Sequence, residues 1–150
     1  MDLAYLASHW ANVRAGLIAT IDKFGDDELD FQPFPTSWTA RQIMLHVAQE
    51  ENGELNLGIT QTLAEFPPEY PIEDYPSRAA IQDLLASVHA RSVDFLDSIS
   101  DDDLKRTIAT PWGASYCLVE MIGHLIEHEI HHRAELSLIL GMLGRAGLDA

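Results

Sequence analysis

The sequence predicts an all-α protein, a four-helix bundle built as a single domain over residues 1–150. Two observations lead there. Four stretches repeat apolar residues at three- and four-residue steps, and the joints between them carry proline and other turn residues. No stretch of any length alternates apolar and polar side chains as a strand would, although Thr107 to Thr110 could form a short extended piece. The chain is long enough to bury one core, and its 47% apolar share is that of an ordinary globular domain.

The first helix is expected from about Leu3 to Lys23, with Leu6, Trp10, Val13, Leu17 and Ile21 on one face, Asp2 as N-cap and Gly25 as stop. After a loop containing Pro33 and Pro35, Thr39-Ala40-Arg41-Gln42 matches a capping box and opens a second helix reaching about Leu63. Gly53 and Gly58 weaken its middle. Pro67, Pro68, Pro71 and Pro76 force an extended connection, and Ser77 caps a third helix through Ile81, Leu85, Val88 and Leu96. A connection over 100–114 leads to the longest and most apolar helix, expected from about Ser115 to Gly144.

Charge excludes several partners. The formal net charge is −15, with nine Lys and Arg in the chain and no basic stripe, so a phosphate backbone is repelled and no nucleic-acid partner is expected. Anionic membrane surfaces are disfavoured for the same reason, and no apolar run approaches the ~20 residues that span a bilayer. The start Met1-Asp2-Leu3 lacks the features of a signal peptide, and the one cysteine, Cys117, fits a reducing cytoplasm and reads as a small buried residue.

Histidines carry the functional signal. Four lie within nine residues of the last helix: His124, His128, His131 and His132. On a helical wheel, His132 falls about 20° and His128 about 60° from the centre of the apolar stripe, while His124 and His131 fall roughly 100° and 120° off it. His128 and His132 therefore point toward the core one turn apart, the spacing that lets two imidazoles grip one ion. An imidazole in an apolar core has a donor and an acceptor to satisfy, and a metal satisfies one nitrogen. The third ligand is expected to be His46, inside the apolar run Ile43-Met44-Leu45-His46-Val47-Ala48. His9 and His89 read as surface or edge residues. Three neutral nitrogens with an open position describe a catalytic site for zinc or nickel better than a closed structural one.

Two alternatives share these residues. His128-Glu129-Ile130-His131-His132 matches the H-E-x-x-H helix of zinc proteases, but the residue six beyond His132 is Leu138, and only Asp149 follows as a possible ligand. The Glu-x-x-His unit of di-iron bundles occurs here once, where two such units are needed. Glu129 is still expected beside the metal, where it could orient or deprotonate a bound water.

Three features resemble the DinB/YfiT-like family of metal-binding four-helix bundles. These are the segment Trp38 to His46, the acid Glu50 one turn later, and His128-Glu129-Ile130-His131-His132-Arg133-Ala134-Glu135-Leu136. The resemblance covers essentially the whole chain, and implies His46, His128 and His132 as ligands. Ala134 and Glu135 stand where the family often has Gly and Gln, which adds negative charge near the site. The family is similar in fold to thiol-dependent S-transferases and to a thiol-dependent maleylpyruvate isomerase. The expected function is thus a divalent-metal-dependent enzyme on a small molecule, activating a low-molecular-weight thiol for S-transfer, with Glu50 and Glu129 as base candidates and a homodimer as the assembly. Arg133 is a candidate anchor for an anionic substrate, and Trp38 and Trp112 for the pocket mouth. A non-catalytic metal-binding stress-response module and a metal-dependent hydrolase are the competing readings.

Overall fold

Three of the four long helices begin at a residue whose own side chain accepts a free backbone N–H of the first turn. In the computed structural model, which describes residues 2–147, Asp2 accepts from the Tyr5 N–H and opens α1 (Leu3–Ile21). Thr39 and Gln42 form the full capping box at the start of α2 (Ala40–Gly53). Ser77 accepts from Ala80 N–H ahead of α3 (Arg78–Asp97).

The fourth start differs from expectation. Ser115–Cys117 is a strand, β2, paired antiparallel with β1 (Thr107–Ala109), and α4 (Leu118–Met142) begins only after it. The Cys117 N–H, the last of the hairpin, donates to Glu120 Oε2, so hairpin and helix are joined by a helix-capping bond. Cys117 itself is half-buried and free rather than fully enclosed.

Two helix ends also move. α1 stops at Ile21, four residues before Gly25, because Lys23 and Phe24 donate to Thr20 and Ile21 in tight three-residue turns. Gly25 instead precedes a short 3-10 turn, Asp26–Glu28. α2 does not reach Leu63. At Gly53 it widens into a π-helical segment, Glu54–Ile59, and the Asn56 carbonyl then collects the N–H groups of Thr62 and Leu63. A Cβ at Gly53 would run into the Phe66 ring, so glycine there admits the returning chain.

Packing brings α1 against α4 and α3, and α2 against α3 and α4. The core is not continuous. One apolar cluster holds Leu17, Ile21, Met44, Leu85 and Leu136; the other holds Leu6, Val13, Leu96, Leu118 and Ile122. Between them, each helix contributes buried or half-buried polar groups: Arg14 from α1, Glu51 from α2, His89 and Ser92 from α3, and Glu129 and His132 from α4. No described helix is long and apolar enough to cross a membrane.

Candidate metal centre

α2 and α4 face each other at the level of this polar layer, and on one flank they bring His46, His128 and His132 together. His128 Nε2 lies 3.2 Å from His46 Nε2 and 3.0 Å from His132 Nε2. The same three residues present ligand atoms that all fall within 4.8 Å of one another. Helical phase explains the placement. His132 is 6% exposed, His128 is half-buried, and the two flank positions, His124 and His131, are exposed.

Proton arithmetic shows what the cluster lacks. His132 Nδ1 is 2.6 Å from Glu135 Oε2, so that nitrogen carries the ring proton and Nε2 presents a lone pair. Two Nε2–Nε2 contacts share His128, and one ring proton can serve only one of them. Nor does a positive imidazolium form easily. Burial, followed by the neighbouring rings, pushes His128 down to about 3, and burial also lowers His46 and His132. A cation would resolve the crowding of lone pairs. With metal–nitrogen bonds of ~2.0–2.1 Å, two ligand nitrogens stand roughly 2.9 Å apart at a right angle and roughly 3.4 Å apart at the tetrahedral angle. The observed separations lie between those limits, so the residues fit a single transition-metal ion.

Around the cluster, Trp38 sets its indole edge-on to His46, with centroids 4.6 Å apart, and stacks over His132 at 6.3 Å. This aromatic cover is itself 46% exposed, which keeps one side of the cluster near solvent. Glu50 lies one turn after His46. Burial raises its carboxyl above the ordinary range, against the attraction of His46. Arg133 turns toward α1, where its guanidinium packs over Gly16. Asp149 lies outside the described residues.

Glu129 points elsewhere than the sequence suggested. Its side chain is 2% exposed and turned toward α1, where Oε1 accepts from Trp10 Nε1 and from Arg14 Nη2, both at 2.5 Å. Arg14 Nη2 also bonds Glu51 Oε2, and Glu51 Oε1 meets His89 Nδ1 at 2.8 Å. Burial raises Glu51 less than the His89 hydrogen bond and Arg14 lower it, so its carboxyl sits below the ordinary value. For Glu129 burial wins, and the carboxyl is raised. This five-residue network was not anticipated from sequence, and His89 belongs to it rather than to the surface. The signal was available: Glu129 stands about 100° around the helix from His128, on the other flank of the apolar stripe.

Glu51, His89 and Glu129 could by type and distance hold a metal, as could His131, His132 and Glu135. In the first group, Arg14 already occupies the cation's place. The second shares His132 with the three-imidazole cluster and is more exposed.

The architecture that carries this cluster recurs in known proteins. The sequence profile of the DinB superfamily matches residues 9–136. The uncharacterized protein YizA of Bacillus subtilis is 31% identical over 67 residues, which is 43% of this chain and 42% of that protein, so the match spans less than half of either. Among solved structures, a DinB-like protein from Bacillus cereus superposes with a TM-score of 0.76 at 20% identity, over 99% of this chain and 97% of its own. YfiT from Bacillus subtilis, a probable metal-dependent hydrolase with an unusual four-helix bundle topology, gives 0.73 at 20% identity over 96% and 89%. A variant of a mycothiol-dependent maleylpyruvate isomerase gives 0.65 at 14% identity, over 93% of this chain and 66% of that one. These likenesses establish the four-helix fold.

Proposed function

The chain belongs to the DinB superfamily, and on that premise we propose that it is a divalent-metal-dependent enzyme acting on a small molecule, with His46, His128 and His132 as the ligands. One observation carries the reading. Three imidazole nitrogens converge, and among the described residues no fourth side chain joins the group. A structural site is normally closed by a fourth protein ligand, whereas a catalytic one keeps that position for water or substrate. Zinc or nickel suits the all-nitrogen donor set. Once bound, it would supply Lewis acidity, lowering the pKa of a thiol or water held beside it.

The chain's own residues then divide the work. Glu135 fixes the tautomer of His132, and Trp38 orients His46 and shields the cluster on one side. Glu50, with its raised carboxyl beside His46, is the group placed to accept a proton from the incoming nucleophile. Glu129 holds α4 against α1 and so positions His128 and His132 from behind. The nucleophile we favour is a low-molecular-weight thiol, supported by the fold shared with the mycothiol-dependent isomerase. Water is the second reading, supported by the likeness to YfiT.

The test is elemental analysis of protein purified without a histidine tag, paired with turnover of a chromogenic aryl halide with and without added thiol. Stoichiometric metal with thiol-dependent turnover is expected, and His128→Ala should lose both. Full metal occupancy without thiol-dependent or hydrolytic turnover would replace the enzyme with a metal-stapled structural module.

A further inference from the structure

Beside the imidazole cluster lies a cavity of about 440 Å³, lined by Glu54, Trp112, Tyr116, Glu120, Met121 and His124. It opens next to the cluster, since the His124 and His128 ring centroids are 6.3 Å apart. Its walls come from three places that the fold forces together. The π-helical segment after α2 supplies Glu54, the hairpin supplies Trp112 and Tyr116, and the first turns of α4 supply the rest. Gly58 forms the junction. A Cβ there would stand 3.0 Å from both the Trp112 ring and the Met121 Cε, and 3.2 Å from Glu54 Oε2. Indole, thioether and carboxylate therefore meet over bare backbone.

The chemistry of this lining is one-sided. Trp112 and Tyr116 remain 48% and 41% exposed, so their rings have area free for a ligand. Glu54 is half-buried, its carboxylate takes part in no hydrogen bond or ion pair among the described residues, and burial raises it against the attraction of His124. Glu120 uses Oε2 on the Cys117 N–H and has Oε1 left over. No Lys or Arg lines the cavity. Glu54 partly withdrawn from water, Glu120 exposed at the rim, and no permanently charged base beside them (His124 is the one basic side chain in the lining), set among open aromatic faces, match a weakly hydrated organic cation. A hard divalent ion would want oxygen donors on all sides, which indole and thioether do not provide.

The geometry points to a subsite for an ammonium or guanidinium group, so that the small molecule handled at the metal centre carries a positive charge. Glu54 and Glu120 would pair with that charge while Trp112 and Tyr116 cover its apolar shoulders. The inference rests on the proposed enzyme for its role as substrate selector, but the subsite itself needs only the cavity.

The experiment uses the metal-loaded protein and two probes of the same shape, choline and its uncharged carbon isostere 3,3-dimethylbutanol. Binding is followed by NMR at the Trp112 indole N–H, with metal content measured on every sample. Choline should shift that resonance saturably, and the isostere should not do so at tenfold higher concentration. Glu54→Gln should weaken choline about tenfold while leaving metal content unchanged, and Trp112→Ala should weaken it similarly. Equal binding of the two probes would make the cavity merely apolar and overturn the inference. So would displacement of choline by one further equivalent of zinc taken up at Glu54. Choline binding that persists in metal-free His128→Ala would uphold the subsite, whatever that variant's turnover says of the enzyme reading.

Discussion

α4 carries a polar cluster on each flank, and the two are built on opposite principles. On one flank His128 and His132 meet His46 with three nitrogens and no positive charge. On the other, Glu129 meets Glu51 across Arg14, with Trp10 bonded to Glu129 and His89 to Glu51. Both gather metal-ligating residue types, and both sit among buried groups. Only the second contains its own cation. A buried charge network is costly to break because removing one member strands the others, whereas three neutral imidazoles carry no charge of their own and can accept a cation, which the proposed metal would supply. The difference teaches that ligand type and spacing alone do not mark a metal site; what matters is the charge already present.

The largest expected effects come from removing one member on each flank. His128→Ala should abolish stoichiometric metal binding, read by elemental analysis, while His124→Ala should retain it. A fully loaded His128→Ala protein would remove that residue from the site. Arg14→Met should destabilise the fold by about 3–5 kcal/mol, because two buried carboxylates lose the cation they share. The denaturant midpoint measures this. In the metal-free protein the comparison sharpens, since His128→Leu should instead stabilise by about 1 kcal/mol through relief of a half-buried ring whose two imidazole contacts cannot both be hydrogen bonds. The same sign for both substitutions would erase the distinction drawn here.

A smaller effect is expected from Glu135→Ala. That side chain holds His132 Nδ1, and its loss should lower metal affinity roughly 10- to 100-fold with little change in unfolding. Titration against a chelator of known affinity reads this directly. If affinity is unchanged, the 2.6 Å contact with His132 plays no part in presenting the ring.

How much of this the sequence disclosed depended on whether one helix or two determined the answer. The burial order of His132, His128 and the exposed His124 and His131 follows from the phase of α4 alone, so the wheel reads it. Thr39 and Gln42 cap their own helix, so the start of α2 was equally legible. Partners across helices were legible at His46, whose apolar run aims it inward, but not on the other flank. Glu129 was drawn toward the metal by the H-E-x-x-H pattern, although its phase places it on the other flank. His89 reads as a surface or edge residue because its partner, Glu51, lies 38 residues away in sequence. α2 ends at Gly53, short of Leu63, for a related reason. Gly53 is set by the approach of Phe66 from the following loop, and no local propensity encodes that approach. Ser115–Cys117 is three residues long, too short for alternation to be visible.

The finest test of the two flanks is their response to acid. An unperturbed imidazole titrates near ~6.5, whereas burial holds all three here lower, His128 at about 3. Below pH ~6.5 the unfolded chain therefore takes up protons that the metal-free folded site refuses. The stability these histidines contribute is present above that pH and is lost progressively as pH falls toward about 3. Glu129 has the opposite sign. Its folded carboxyl is raised, so its contribution is full below the ordinary carboxylate value and is lost as pH rises. Melting of the metal-free protein between pH 6.5 and 4.5 should thus fall less steeply in His128→Leu and more steeply in Glu129→Gln than in the unmodified chain. Metal release should also begin below the ordinary imidazole range, because protons compete poorly for desolvated rings. Half-release at pH 6.5 or above, or identical slopes in the two variants, would mean that the imidazole cluster is more open to water than its burial in this fold requires.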